Sequence, residues 1–411
     1  MNQWKNVLLT DVSVKIGDGL HGTPTYDESG DYYFINGNNL LNGRVFIKPE
    51  TKKISKAEFD KIKKDLNNST VLLSINGTIG NVSKYTGEKC ALSKSVCYIN
   101  LDENLILRDY FYYECLSDKF QSFLDNIATG TTIPNVPLKG IRTYEFKIPP
   151  ITEQRAIVSV LSSLDEKIDL LHRQNKTLQL LAETIFRQWF IEDAPVDWEK
   201  TTLDCHITVA KGLSYKGAGL TTSDNGIPLF SLNSVLEGGG YKSAGLKYYN
   251  GDFKERHIIK PGDIIVANTE QGHEYRLIGY PAIIPTIKSK LSIYTHHLFK
   301  ISINDDSYLT NSFMYYLLCS KDMHEQVVAA TNGSTVNQLS ADGLQRPEFK
   351  LPPECMVKKF TTHITSFWEK ISINNSQIKN IESLRDTLLP KLLSGEVRVK
   401  YAEEEIAAMQ E

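Results

Sequence analysis

The stretch Glu145-Phe146-Lys147-Ile148-Pro149-Pro150 (EFKIPP) returns 203 residues later as Glu348-Phe349-Lys350-Leu351-Pro352-Pro353 (EFKLPP). The same offset aligns Glu166-Lys167-Ile168 with Glu369-Lys370-Ile371, and Gln174 with Gln377. Just upstream, ATGTTIPNV (128–136) echoes ATNGSTVNQL (330–339) at an offset of 202. Trp4 and Leu9 answer Trp198 and Leu203 at 194. In the middle, LLSINGTIG (72–80) resembles IIVANTEQG (264–272), each a buried strand running into a polar loop. A period of roughly 200 residues is too long for a solenoid. The chain is a domain written twice, with one frame and diverged loops.

Each copy has two parts. The first mixes short β-branched and aromatic runs with Gly and Asn punctuation: 31–36, 71–75 and 95–99, then 228–232, 263–267 and 298–303. A helical segment follows in each, 105–126 and 308–330. These predict two globular α/β domains with a twisted sheet. The second part is a long helix opened by Pro-Pro, with Thr152-Glu153-Gln154-Arg155 as an N-terminal cap.

Apolar residues recur along that helix in alternating steps of three and four. The first seam runs Ile157, Leu161, Leu164, Ile168, Leu171, Asn175, Leu178, Ala182, Ile185, Trp189. The second runs Phe360, Ile364, Phe367, Ile371, Asn374, Ile378, Ile381, Arg385, Leu388, Leu392. Heptad seams of this length predict a coiled coil rather than two ordinary amphipathic helices. Globular helices seldom run about 39 residues, roughly 58 Å at 1.5 Å per residue. Antiparallel pairing with positions summing to 549 sets Asn175 beside Asn374, Leu171 beside Ile378 and Trp189 beside Phe360. A buried Asn pair would cost stability and fix the helix-pair register. Pro390 should kink the second helix near its end.

The fold class expected is therefore α+β: two duplicated α/β recognition domains separated by two long antiparallel coiled-coil helices, with an internal pseudo-two-fold. The expected boundaries are 1–150 and 193–353 for the domains, 151–192 and 354–396 for the helices, and 397–411 for an acidic tail.

The 411 residues carry 46 Lys+Arg against 49 Asp+Glu, a net charge of -3. Residues 1–150 sum to +1, 151–195 to -2, 196–353 to -1 and 354–411 to -1, so no segment is a basic clamp. At face value this balance argues against a nucleic-acid partner. No apolar run approaches the ~20 residues of a spanning helix, and MNQWKNVLLTDVS lacks a signal-peptide pattern. The six cysteines are scattered without a CxxC, which excludes a disulfide framework and a zinc site and points to the cytoplasm.

Catalytic signatures are missing. No GxSxG, P-loop or HExxH occurs. Gly17-Asp18-Gly19 lacks the third glycine and following helix of a phosphate loop, and reads as a turn. Glu145-Phe146-Lys147 and Glu348-Phe349-Lys350 each read as a last strand feeding the helix, not as half of a nuclease site. His296-His297 has no third ligand at suitable spacing and reads as a strand-end or DNA-facing pair. No catalytic or metal-binding residue is assigned, and no cofactor is expected on this chain.

What remains is a recognition inventory. Asn, Gln, Lys and His are able to read base edges, and Ser, Thr and backbone N–H groups hold phosphates. The DNA-contact candidates in the first copy are His21, Thr23, Asn36, Asn38, Asn39, Asn76, Thr78, Lys94, Thr131, Thr132 and Asn135. In the second they are Lys211, Tyr215, Asn233, Asn268, Gln271, His296, His297, Ser334 and Asn337. The competing reading, that these are turn residues, applies to many of them.

Three strings carry a family resemblance: Asp18-Gly19-Leu20-His21-Gly22-Thr23-Pro24, Ile148-Pro149-Pro150-Ile151-Thr152-Glu153-Gln154-Arg155, and Leu384–Glu396 (LRDTLLPKLLSGE). On these the chain resembles, over nearly its whole length, the DNA-specificity subunit of type I restriction-modification systems. It departs at Glu354-Cys355-Met356-Val357, where a TEQR-like run is usual. The resemblance implies a non-catalytic subunit whose two target-recognition domains each read half of a bipartite site in double-stranded DNA. The helix pair would set the gap and dock two methyltransferase subunits, with restriction/translocase subunits completing the complex. S-adenosylmethionine, ATP and Mg2+ would be used by those partners. Two alternatives stay open: a fragment of a fused methyltransferase-nuclease, and a coiled-coil adaptor with two ligand-binding domains.

Overall fold

A computed structural model describes residues 4–399 except 131, 273, 288, 290 and 334. The expected candidates Thr131 and Ser334, and the tail from Lys400 on, lie outside the described residues. The chain packs as two compact units, one made of the residues up to Leu171 with those from Ser376 on, the other of His172–Asn375.

In the first unit a four-stranded antiparallel sheet has the order Ser13–Asp18, Val96–Leu101, Thr70–Ser74, Val82–Lys84. The second unit repeats it as Ile207–Lys211, Leu298–Ile303, Ile264–Ala267, Pro281–Ile283. The central strands alternate between two cores, as a period of two requires. Val71, Leu73 and Ile75 face the helices, while Leu72 packs with Ile35 and Leu92 on the opposite side. In the second unit Ile264 and Val266 face the helices, while Ile265 and Ala267 pack with Phe230 and Tyr294.

This alternation corrects the expected alignment of 72–80 with 264–272. Leu72 corresponds to Ile265, an offset of 193, because a one-residue slip would turn every side chain to the wrong core. A second correction concerns the single twisted sheet. Each unit carries a further sheet built on one parallel pair, Tyr32–Ile35 with Cys90–Leu92 and Ile227–Phe230 with Ser292–Tyr294. Around that pair the copies diverge. The second adds Leu220–Thr221 and Lys247–Tyr249 on the Ile227–Phe230 side.

Each expected helical segment is two helices broken at a serine. Arg108–Leu116 and Asp118–Ile127 meet at Ser117, and Asn311–Cys319 and Lys321–Ala329 meet at Ser320. Ser117 Oγ donates to the Glu114 carbonyl and accepts from Phe120 N–H, so one hydroxyl ends a helix and starts the next. Ser320 Oγ donates likewise to the Leu317 carbonyl.

The long helices run Ile151–Arg187, closing with a π turn at Gln188–Glu192, and Glu354–Ser394, which continues through Pro390. All ten expected seam positions on each helix are buried or half-buried. Pairing is antiparallel within each unit. In the first, Ile168 and Leu171 pack with Ile378 and Ile381, and Arg385 Nη1 meets Asp165 Oδ1 at 3.0 Å. In the second, Trp189 lies against Phe360 with ring centroids 6.5 Å apart. Isolated helices owe little stability to propensity, so this buried seam and the domain cores hold them. Phe186 and Phe190, off the seam, anchor the first helix in the second core against Phe313 and Phe360.

Gln154 is not the cap expected from the Thr152–Arg155 string. Its buried amide donates to the carbonyls of Pro149 and Leu105 and accepts from Leu107 N–H, tying the helix entry to the loop before Arg108–Leu116. Beside it, Glu153 accepts from Trp4 Nε1 at 3.1 Å and pairs with Arg398 Nη1 at 3.1 Å.

Candidate nucleic-acid interface

Strand register brings the polar loops of each copy to one end of its four-stranded sheet. In the first unit, Asp18 pairs with Cys97 and Ser74 with Val96, so the loops after Asp18 and Ser74 and before Val96 emerge together. Backbone and side-chain bonds then weld them. Leu20 bridges Ser93, Ile75 N–H donates to the Ser95 carbonyl, and Gly37 N–H donates to Ser95 Oγ. Asn76 Nδ2 donates to Asn135 Oδ1 at 3.1 Å, adding the 129–135 loop.

The second unit repeats the construction with other side chains. Lys211 pairs with Phe299 and Ala267 with Leu298. Leu213 bridges Thr295, Asn268 N–H donates to the His297 carbonyl, and Thr269–Gln271 pairs with Val336–Gln338. One glycine in each copy is required by this crossing. A Cβ on Gly19 would run into the Leu92 carbonyl oxygen, and one on Gly212 into that of Thr295. Gly17-Asp18-Gly19 is thus a strand end crossing a neighbouring backbone.

The candidates divide by exposure. His21, Thr23, Asn36, Asn38, Thr78, Lys94, Thr132, Lys211, Asn233 and Gln271 are exposed or half-exposed at these loop ends. Asn76, Asn135, Tyr215, His296 and His297 are half-buried. Asn39, Asn268 and Asn337 are each 2% exposed, and their amides hold the fold. Asn39 donates to the Phe46 carbonyl and Thr51 Oγ1, Asn268 to the His296 carbonyl, and Asn337 to the Gly272 carbonyl. These three belong with the turn-residue reading, because the side chain faces inward. His21 Nε2 lies 2.6 Å from Asp18 Oδ2, which orients the ring while leaving it exposed.

The second platform gathers Lys211 and Lys247 around His296 and His297. The His296 and His297 rings lie against each other, tilted by 40° with centroids 3.9 Å apart, and His297 Nδ1 bonds Thr269 Oγ1 at 3.0 Å. Burial, then the charges of His296, Lys211 and Lys247, push the His297 pKa down, so a neutral ring is favoured. Lys247 lies over the Tyr215 ring at 5.8 Å and donates to its hydroxyl at 3.2 Å. Lys247 and Thr269 were not among the candidates, although Lys247 follows Gly245 by two residues and Thr269 directly follows Asn268; the fold brings both to His297. Among the described residues no cluster of His, Cys, Asp and Glu could hold a metal ion. No helix among them is long and apolar enough to cross a membrane.

A loop platform built twice, each copy feeding one long helix of an antiparallel pair, defines a duplicated recognition protein. Residues 1–180 match the type I restriction modification DNA specificity domain. The MjaIX specificity subunit of Methanocaldococcus jannaschii is 24% identical over 80% of this chain and 78% of its own. The HindI specificity subunit of Haemophilus influenzae is 22% identical over 97% and 100%. The solved S subunit of a type I system from M. genitalium shares the fold, with a TM-score of 0.57 at 17% identity over 95% and 96% of the two chains. Residues 1–180 thus carry the match to the DNA specificity domain, and over most of its length the chain is similar to specificity subunits of type I restriction-modification systems.

Proposed function

We propose that this chain chooses the DNA sequence on which a type I restriction-modification complex acts, and performs no bond chemistry itself. Residues 1–150 and 193–353 each read one half of a bipartite site through their loop platforms. The helices at 151–192 and 354–396 set the gap between half-sites and dock two methyltransferase subunits, which use S-adenosylmethionine. Restriction/translocase subunits using ATP and Mg2+ complete the assembly in the cytoplasm. The observation carrying this reading is the loop platform itself: a shared backbone scheme, repeated, with different polar side chains on each copy. A reader of two unlike half-sites needs that combination. The near-neutral charge fits a subunit that makes few phosphate contacts alone, with a shallow salt slope, and relies on its partners for backbone grip.

The test is genome-wide mapping of methylated adenines with and without this gene. The reading expects one bipartite motif to vanish on deletion; an unchanged methylation map contradicts it.

A further inference from the structure

One feature is shared by the two platforms although their loops diverge. In the first copy, Thr129 and Asn135 exchange backbone hydrogen bonds at 2.8 Å in both directions, closing a short hairpin. In the second, Asn332 and Gln338 do the same at 2.9 and 2.7 Å. Gly130 and Gly333 follow the first closing residue with φ of +93° and +123°, where L side chains are strained. Their Cα atoms pack under the carbonyls of Ile133 and Val336 respectively. These positions correspond at 203, which corrects the expected offset of 202 and restores the frame of the helices.

Ile133 is 62% exposed and Val336 is 43% exposed. A single exposed aliphatic needs no explanation. A β-branched aliphatic held out at the same place twice, on a clamped hairpin among polar loops, does need one. Gly77 N–H bonds the Pro134 carbonyl and Val336 pairs with Gln271, so each tip is fastened to its own platform.

We propose that Ile133 and Val336 are specificity-determining contacts to the C5-methyl of a thymine, one in each half-site. Resting on the DNA-reading function above, the assignment follows from chemistry. An aliphatic side chain makes no hydrogen bond, and the thymine methyl is the one apolar group on the base edges of the major groove. The surrounding Asn, Lys and His side chains supply hydrogen bonds, and the Thr methyls are smaller than the aliphatic side chains that Ile133 and Val336 present.

The test uses the complex assembled with its methyltransferase subunits and duplexes carrying the mapped site. Thymines are replaced one at a time by deoxyuridine, which removes only the methyl. Wild type should lose about fourfold in affinity at one thymine per half-site, the worth of one buried methyl. Ile133→Ala should abolish that sensitivity in one half-site, and Val336→Ala in the other, with melting temperatures unchanged because both side chains are exposed. No sensitive thymine, or sensitivity that survives the alanine variants, overturns the assignment and leaves the DNA-reading function standing. Unstacking at the contacted step, reported by 2-aminopurine fluorescence, overturns it equally, since the residues then act as wedges. A wild-type complex that binds no bipartite site overturns both.

Discussion

Asn374 Nδ2 donates a 2.8 Å hydrogen bond to Asn175 Oδ1 across the helix pair, both amides being buried. Asn175 Nδ2 passes the chain on to Asn375 Oδ1 at 2.9 Å, and Asn374 Oδ1 has no partner among the described residues. By the repeat, Asn175 corresponds to Ile378 and Asn374 to Leu171, which pack together as an apolar layer. A polar layer that departs from its own repeat is suited to select one helix alignment at the expense of stability. Replacing both, Asn175→Leu with Asn374→Leu, should raise the melting temperature while broadening the spacing between half-sites accepted by the complex. Asn374→Leu alone should destabilise by about 1–3 kcal/mol, since it strands the buried Asn175 carbonyl. Denaturant unfolding and methylation mapping of the two variants check this.

At the first unit's junction with its helices, Asp165 accepts from Tyr113 Oη at 2.8 Å and Arg385 Nη1 at 3.0 Å. At the corresponding places in the second unit, Trp368 Nε1 donates to Tyr316 Oη at 3.4 Å. Asp165→Leu removes one of the two carboxylates that a half-buried guanidinium pairs with, and the acceptor of the Tyr113 hydroxyl. The expected cost is about 1–2 kcal/mol, moderated because Arg385 keeps Asp386 and some solvent. Adding Arg385→Leu should recover part of it, a coupling that denaturant unfolding of the full cycle measures.

Gly19→Ala and Gly212→Ala each force a methyl into a neighbouring backbone carbonyl. Each should distort one platform, at about 1–3 kcal/mol, and weaken recognition of one half-site only. Methylation kinetics on sites mutated in one half at a time separate the two effects.

Four histidines of the His172–Asn375 unit, His206, His257, His297 and His324, have pKa values pushed down first of all by burial. A folded pKa below the unfolded value, about 6.5, favours the neutral ring. The linked stability is therefore present above about pH 6.5 and is lost as pH falls through the folded pKa. Trp189, Trp198 and Trp368, three of the four tryptophans, report on this unit. Their fluorescence-detected melting temperature should drop between about pH 7.5 and 5.5. In His324→Gln, which can still donate to the Ile278 carbonyl that His324 Nε2 bonds at 3.0 Å, the drop should be smaller.

The helices and the repeat were legible because heptad spacing and a sequence echo are local signals. Loop positions were legible too, since Gly, Asn and Thr mark turns. Their convergence was not: it depends on Asp18 meeting Cys97 and Ser74 meeting Val96, pairings that join distant segments. Inward and outward amides were equally opaque. Asn38 and Asn39 are neighbours in one string, and only packing turns the second into the core. The repeat's register slipped by one at 72 and at 128, where diverged loops hide the alignment that hydrogen bonds define.

Whether each copy reads its own half-site is decided by a domain exchange. Residues 1–145 are replaced by the equivalent domain of another specificity subunit, and the methylated motif is mapped in cells. One half-site should change while the other half-site and the gap stay as they were. A motif changed in both halves refutes separate reading by the two copies.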